Sequence, residues 1–364
     1  MVLMLTLLPA ILLALRVAAG PVLVEDSFIS LPISRRFNFT GPAQLCRTTS
    51  RASTPPRRAA SVGVGSPATT YSLIVDTGSS NTWVGATQKY VVTSTSTKTT
   101  QAVSVSYGSG SFSGTEYTDQ VTLASGLVIS KQSIGVASTS SGFDGGTLTK
   151  STSTLIPTVT DNLFSQGTIT SNLIGISFEP TTTEDDVNGS IAFGAPIARS
   201  SPALSLLPTR WAFFDTPKDG TTSILASTAG IVDTGTTLIY IATNAFTKYK
   251  SATGGVADAN TGLLKITATQ FAALKNLNFV IGGVTYALTP NAQIWPRSLN
   301  TAIGGTASSI YLVVADWGSN SGEGLDFING YAFLERFYSV FDTANKRVGF
   351  ATTPMYNLVD RDLA

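Results

Sequence analysis

The stretch LIVDTGSSNT at residues 73–82 recurs in the second half of the chain as GIVDTGTTLI at residues 230–239. Both copies contain Ile-Val-Asp-Thr-Gly followed by two residues with hydroxyl side chains, Ser79-Ser80 in the first and Thr236-Thr237 in the second. One Asp-Gly-type triplet is an ordinary turn signal. Two copies in the same apolar context, one in each half, indicate instead a duplicated loop that carries Asp76 and Asp233 at equivalent positions.

The chemistry of such a loop explains the pattern. An apolar strand delivers the aspartate to a buried position, and the glycine turns the chain with its N–H toward the carboxylate. Hydroxyls at Ser79 and Thr236 can fix the carboxylate oxygens. Two facing loops bring two carboxyls together, and these share one proton because like charges at that distance cannot both ionise cheaply. One carboxylate then activates a water while the other carboxyl protonates a carbonyl oxygen. The repeat predicts a dyad of Asp76 and Asp233 that needs no metal and no cofactor.

The composition of the chain limits the kinds of catalysis and binding that it can support. The 364 residues include no histidine and one cysteine, Cys46. The lack of histidine excludes Ser–His and Cys–His catalysis and histidine-ligated metal sites, and a single cysteine excludes an intrachain disulfide. Charged residues make up 12% and hydrophobic residues 43% of the chain, which is typical of a β-rich extracellular protein and not of one that binds nucleic acid.

From about residue 59 the sequence consists of short β-branched segments separated by Gly and Ser, which predicts many strands. Helical patterns are few and short, at residues 158–165, 244–251 and 269–274. The predicted fold class is therefore mainly β with a handful of short helices.

The segment VSVSYGSGSFSG, residues 103–114, predicts a β-hairpin with a Gly/Ser tip. A mobile hairpin about thirty residues after the first aspartate would suit a lid over a cleft. The alternative is a plain surface hairpin without a functional role.

The N-terminal region differs from the rest. An apolar run at residues 5–15 is too short to span a membrane and precedes small residues, which predicts a secretory signal peptide at residues 1–19. A membrane anchor is the alternative, because no Lys or Arg precedes the run. A secreted chain would offer two N-glycosylation sequons, at Asn38 and Asn188.

Charge separates the next segment from the body of the chain. Residues 1–58 contain seven arginines and two acidic residues, net +5, whereas the sixteen basic and twenty acidic residues of 59–364 give net −4. Residues 20–58, which include Arg57-Arg58, are predicted to be a propeptide and exposed processing region. Acid should weaken the attraction of this basic segment for an acidic cleft and release it, so the precursor is expected to activate itself at pH 3–4.

The motifs of this chain resemble those of the pepsin-like aspartic protease family, and most closely those of its secreted fungal members. The similar stretches cover most of residues 62–352; they are residues 62–86, 105–119, 156–169, 227–238, 291–316 and 321–351. The stretch SFISLPISRRFN is similar to propeptides of the same group. The resemblance implies a bilobal fold of two pseudo-symmetric β lobes with a central cleft, and acid endopeptidase activity.

The resemblance also implies roles for individual residues. Asp76 and Asp233 correspond to the catalytic pair. Substrate-contacting positions correspond to Tyr107 on the hairpin, to Gly108 and Ser109 after it, and to Gly78, Gly235 and Thr236 beside the pair. Positions that support the dyad correspond to Thr77, Ser79, Thr234 and Trp83, the last as partner of Tyr107. Protein or peptide substrates and pepstatin-like inhibitors are the implied partners, with no nucleic acid, no membrane after signal cleavage and a monomeric state.

Three regions depart from the family pattern. After residue 145 the apolar-Gly strand expected beside the first aspartate loop is missing, residues 46–60 replace the first mature strand, and residues 205–220 are irregular where strands are usual. The predicted lobes are residues 59–195, lacking that strand, and residues 196–364. The alternative function is a catalytically impaired or inactive pepsin-like binding protein, as a truncated gene model would produce.

Overall fold

The computed structural model describes residues 29–38, 54–107, 110–142, 146–150, 156–180, 187–195, 205–208, 212–216 and 222–353. Among these residues, ten strands and one helix lie in the first half of the chain. In chain order they are β1 (Ile29–Asn38), β2 (Thr54–Val64), β3 (Thr69–Ser80), β4 (Trp83–Val84), β5 (Thr97–Tyr107), β6 (Gly110–Ala124), β7 (Leu127–Ser141), β8 (Gly146–Lys150), α1 (Val159–Ser165), β9 (Leu173–Phe178) and β10 (Val187–Phe193).

The described part of the second half continues with short strands and three helices. They are β11 (Ser205–Pro208), β12 (Ala212–Thr216), β13 (Thr222–Thr228), β14 (Gly230–Val232), β15 (Ile239–Ile241), α2 (Thr243–Thr253), β16 (Val256–Ala257), β17 (Leu264–Ile266), α3 (Ala268–Ala272), β18 (Leu277–Ile281), β19 (Val284–Leu288), β20 (Ile310–Tyr311), β21 (Val314–Asp316), β22 (Phe327–Asn329), α4 (Tyr331–Leu334), β23 (Phe337–Asp342) and β24 (Arg347–Thr352). Single 3₁₀ turns lie at Asn291–Gln293, Arg297–Leu299 and Thr301–Ile303.

One large sheet joins the two halves. Its central path runs β11-β24-β23-β9-β10-β1-β2-β6-β7-β4, so strands from both ends of the chain share it. The second half adds two four-stranded sheets, β13-β12-β18-β19 and β14-β22-β15-β21, and the small sheet β16-β17-β20. The predicted mainly β, bilobal fold is confirmed.

The strand that leads to the first aspartate is buried on both faces. Leu73 and Val75 pack into the main hydrophobic core, while Ile74 packs on the other side with Trp83 and Phe112. Such a strand reads as a continuous apolar run instead of an alternating one, as LIV does here. Burial on both faces holds the residue that follows, Asp76, in a fixed position.

The two aspartate loops have the same local topology. β3 pairs in parallel with β8, with Leu73 opposite Gly146, and β14 pairs in parallel with β22, with Gly230 opposite Phe327. The expected gap beside the first loop is therefore filled, because the divergent residues 146–150 supply the backbone partner that the family's apolar-Gly segment would have supplied. That expectation of a missing strand was wrong for the backbone pairing.

Two other irregular regions also contain strands. Residues 205–216 hold β11, which pairs with β24, and β12, which lies between β13 and β18. Residues 54–60 begin β2, which pairs with β1 and β3. The prediction of irregular structure was wrong here because backbone pairing depends on the neighbouring strands more than on the segment's own apolar pattern.

The three predicted helical segments are confirmed. α1 begins at a capping box in which the Thr158 hydroxyl accepts from the Asp161 N–H and the Asp161 carboxylate accepts from the Thr158 N–H. α2 and α3 overlap the other two predicted segments, and α4 was not predicted. Within the described part of the chain, no helix is both long enough and apolar enough to cross a bilayer.

Candidate active site

Asp76 and Asp233 lie against each other where the two duplicated loops meet. The Gly78 N–H donates to an oxygen of each carboxylate, at 3.0 Å to Asp76 Oδ1 and 3.1 Å to Asp233 Oδ1. The Gly235 N–H donates to Asp233 Oδ1 at 2.8 Å. The duplicated sequence therefore brings the two carboxyls into one hydrogen-bonded group, as predicted.

The outer oxygen of each carboxylate has an equivalent hydroxyl donor. Ser79 Oγ donates to Asp76 Oδ2 at 2.6 Å, and Thr236 Oγ1 donates to Asp233 Oδ2 at 2.5 Å. Both donors stand three residues after their aspartate, as the repeated motif predicts. Each carboxylate is held at both oxygens, which fixes its plane.

The two loop glycines leave room for this approach. A Cβ atom built on Gly78 would lie 2.4 Å from Asp233 Cγ, and one built on Gly235 would lie 2.5 Å from Asp76 Oδ1. Each glycine thus faces the aspartate of the opposite loop. Any larger residue at either position would force the carboxyls apart.

Beneath the carboxyls the two loops are cross-linked by Thr77 and Thr234. Each threonine N–H donates to the hydroxyl of the other, at 3.0 and 3.1 Å. Thr77 Oγ1 in turn donates to the Val232 carbonyl at 3.1 Å, and Thr234 Oγ1 to the Val75 carbonyl at 2.9 Å. Four hydrogen bonds related by the pseudo-two-fold axis therefore join the halves directly under the dyad.

The pKa of Asp233 is raised above its ordinary value. Burial is the largest cause and the negative charge of Asp76 is the next, while the Thr236 hydroxyl opposes them. Two carboxyls so close titrate as a pair with one low and one raised apparent pKa. The geometry therefore favours a singly protonated pair over a wide range of acid pH.

The end of β22 holds the second loop from below. The Asn329 carbonyl accepts from the Asp233 N–H at 3.1 Å, and the Tyr331 N–H donates to the Thr236 carbonyl at 2.7 Å. A Cβ on Gly330 would lie 2.2 Å from the Leu238 carbonyl oxygen. These backbone contacts were not predicted from the sequence, where the one signal is Asn-Gly after the apolar pair Phe327-Ile328.

The predicted hairpin is formed by β5 and β6, with Tyr107 opposite Gly110. Tyr107 is partly buried and packs on the cluster that contains Ile74, Trp83 and Phe112. Trp83 is fully buried and stacks on Phe112 with ring centroids 4.2 Å apart. The hairpin is thus packed on the same strand that delivers Asp76.

Asp119, a fully buried residue of β6, anchors the base of the hairpin through hydrogen bonds. Its carboxylate accepts from Tyr90 Oη and Thr95 Oγ1, each at 2.6 Å, and from Ser96 Oγ at 2.8 Å. These donors lie in the segment that leads into β5. These hydrogen bonds fix the base of the hairpin.

Some predicted residues fall outside this description. Gly108 and Ser109 at the tip, the signal peptide and Cys46 lie outside the described residues. Asn38 ends β1, and Asn188 lies in β10 at a break in register with β1. Only the backbone of these two asparagines is described.

The cross-link gives a first testable expectation. Replacing Thr234 by Val leaves the partly buried Thr77 N–H without its acceptor, which costs about 1–3 kcal/mol. Thr234→Val should therefore unfold at a lower temperature than the parent, whereas Thr234→Ser, which keeps the hydroxyl, should lose less than half as much. Thermal denaturation of the three proteins measures the difference. Equal melting temperatures for the Val and Ser variants would show that the Thr234 hydroxyl does not contribute to stability.

Two β lobes that meet at a pair of cross-linked Asp-Thr-Gly loops define the architecture of a pepsin-like aspartic protease. The family model described as eukaryotic aspartyl protease matches residues 58–353. The chain therefore belongs to this family and is a pepsin-like aspartic endopeptidase that acts on protein or peptide substrates.

Individual relatives agree with this assignment. The chain is 63% identical over 320 residues to polyporopepsin of Irpex lacteus, an alignment that covers 80% of this chain and 93% of the relative. It is 30% identical over 323 residues to pepsin A of Sus scrofa, covering 80% of each. The crystal structure of the aspartic proteinase from Irpex lacteus matches with a TM-score of 0.82 and 55% identity, over 91% of this chain and 99% of that one. The alternative of an inactive binding protein is not favoured.

Proposed function

We propose that Asp76 and Asp233 are the catalytic pair and hydrolyse peptide bonds at acid pH. The observation that carries this proposal is the Gly78 N–H shared between the two carboxylates, at 3.0 and 3.1 Å. A carboxyl pair so close holds one proton, which supplies a general base and a general acid in the same site.

One carboxyl of the pair acts as the general base and the other as the general acid; we assign the base role to Asp76 and the acid role to Asp233, which agrees with the direction of the pKa shift of Asp233. Asp76, as the carboxylate, takes a proton from a bound water, and the water oxygen attacks the scissile carbonyl carbon. Asp233 gives its proton to the carbonyl oxygen, forming a neutral gem-diol. Asp76 then passes its proton to the amide nitrogen as the C–N bond breaks, and Asp233 recovers a proton from a diol hydroxyl. Both carboxyls end in their starting states.

The remaining site residues support these steps. Thr77 and Thr234 hold the loops in register, and Ser79 with Thr236 fixes the outer carboxylate oxygens. The hairpin with Tyr107, Gly108 and Ser109 covers the substrate backbone, with Trp83 beneath it, while Gly78, Gly235 and Thr236 line the cleft on either side of the pair. We expect a preference for bulky hydrophobic residues around the cut.

We further propose how the chain is secreted, glycosylated and processed. Residues 1–19 direct secretion, Asn38 and Asn188 accept glycans, and residues 20–58 are a propeptide ahead of lobes at residues 59–195 and 196–364. β1 and β2 place Arg35 opposite Arg58 and Arg36 opposite Arg57. Like charges directly opposite one another destabilise a strand pair, which favours release of β1 once the chain is cut. The mature protein acts as an extracellular monomer.

An acid digest tests the proposal. The purified precursor, held at pH 3–4, should convert to a shorter chain that then cleaves a denatured protein, and a pepstatin-like inhibitor should stop the cleavage. Digestion at about pH 8.5 serves as the control, since this pH lies above the pKa of Asp233, which burial and the charge of Asp76 raise to about 7, so the singly protonated pair is depleted there. A precursor that stays intact at pH 3–4 contradicts self-activation, and a processed chain without inhibitor-sensitive cleavage contradicts the proposed function.

A further inference from the structure

A second buried carboxylate lies behind the catalytic loop, at Asp326. The residue is fully buried at the start of β22. Its carboxylate accepts from Thr228 Oγ1, from Ser321 Oγ at 2.5 Å, and from the Gly322 N–H at 2.9 and 3.2 Å to its two oxygens. None of these donors belongs to the dyad described above.

The main chain of Asp326 is also held on both sides. Its N–H donates to the Ala229 carbonyl at 3.2 Å, and its carbonyl accepts from the Ala242 N–H at 2.8 Å. Ala229 immediately precedes β14, and Ala242 is the residue before α2. Through backbone and side chain together, Asp326 fixes β22 to the end of β13, to the entry of α2 and to the loop at residues 317–325.

β22 connects Asp326 directly to the dyad. Its three residues pair with β14 on one side and β15 on the other, and the Asn329 carbonyl at its end accepts the Asp233 N–H. The packing is close, since a Cβ on Gly230 would lie 2.4 Å from the Phe327 ring. Three extended residues span only about 10 Å, so a shift at Asp326 reaches Asp233 through one short, tightly packed strand.

The hydrogen bonds of Asp326 suit an acid environment. Burial is the largest influence on its pKa and acts to raise it, but the Ser321, Thr228 and Gly322 donors together outweigh burial and leave the pKa lowered. All three donors are uncharged. Acid therefore leaves the donors unchanged, and the carboxylate keeps its charge to lower pH than an ordinary aspartate.

We propose that Asp326 is a positioning residue for peptide hydrolysis, which fixes the start of β22 and through it the position of Asp233 relative to Asp76. This inference rests on the proposed catalytic roles of the two aspartates.

The test compares Asp326→Asn with Asp258→Asn in the processed chain. Asp258 is a matched control, because its carboxylate accepts from the Thr261 N–H and hydroxyl and from the Asn260 N–H in the same half of the chain, and its pKa is lowered although burial, the largest influence, acts to raise it. Its hydrogen bonds lie within its own turn, at residues 258–263. We expect kcat of Asp326→Asn to fall about tenfold, the effect of a displacement well below the 1 Å that costs about a hundredfold. KM should stay within about twofold, and Asp258→Asn should match the parent.

A milder pair of variants covers the case in which Asp326→Asn does not fold. Thr228→Val removes one donor and Thr228→Ser keeps it, so kcat should fall several-fold in the first and recover in the second. Both are assayed well below their melting temperatures, where a merely structural residue would leave kcat unchanged. A kcat within twofold of the parent for folded Asp326→Asn, or for Thr228→Val, overturns the inference. Inactivity of the parent itself would instead contradict the proposed function.

Discussion

Asp233→Asn is expected to lower kcat by about four orders of magnitude while the chain remains folded. Asparagine keeps the shape of the side chain and an oxygen that can accept from the Gly78 and Gly235 N–H groups. It cannot deliver the proton that the carbonyl oxygen needs, so the acid half of the reaction is lost. Steady-state cleavage of one peptide at pH 3–4 measures the change.

The same variant should gain stability at neutral pH. The pKa of Asp233 is raised by burial and by Asp76, so the folded state holds a proton that the unfolded state releases above about pH 4. Stability is therefore full below that pH and is lost as the pH rises through the raised pKa. Asparagine does not titrate, so the difference in melting temperature between pH 4 and pH 7 should be smaller in Asp233→Asn than in the parent.

Asp258→Asn is the control for both measurements, because it removes a hydrogen-bonded carboxylate from the same half without touching the dyad. It should retain activity and the parent's neutral-pH loss of stability. If Asp233→Asn kept more than about a hundredth of the parent's kcat, Asp233 would not be the general acid.

Gly78→Ala should be the next most damaging change. The added Cβ would lie 2.4 Å from Asp233 Cγ and 2.5 Å from its Oδ1, far inside van der Waals contact, so the two carboxyls must separate. A displacement of about 1 Å between catalytic groups costs about a hundredfold in rate, and we expect at least that loss in kcat together with weaker binding of a pepstatin-like inhibitor.

Gly283→Ala controls for the general cost of replacing a glycine. Gly283 has a φ of +82° and open space around its Cβ position, so alanine there strains the backbone without reaching the site. It should lower the melting temperature and leave kcat unchanged. Equal kcat values for Gly78→Ala and the parent would mean that the loops do not hold the carboxyls in the geometry described.

The dyad could be predicted from the sequence because its chemistry is local. The aspartate, the glycine and the hydroxyl residue stand in one short motif, and the motif occurs twice. The contacts of Ser79 and Thr236 with their own aspartates follow from a spacing of three residues. The hairpin was predictable for the same reason, since its strands are adjacent in sequence.

Long-range pairing could not be predicted in the same way. β8 lies beside β3, and β11 and β12 find their partners, although residues 146–150 and 205–216 no longer match the family pattern. Any strand of suitable length can complete a backbone ladder, so sequence divergence did not mean a missing strand. The contacts of Asp326 were hidden for a related reason, because Thr228 and Asp326 are 98 residues apart.

The most direct test of the account is the binding of a pepstatin-like transition-state mimic, measured by titration calorimetry on the processed chain at pH 3–4. Only a preorganised pair of carboxyls binds such a mimic tightly. We predict one tight site per chain, with affinity lost by at least a hundredfold in both Asp76→Asn and Asp233→Asn. Equal affinity in the parent and the two variants would contradict the claim that these aspartates form the catalytic pair.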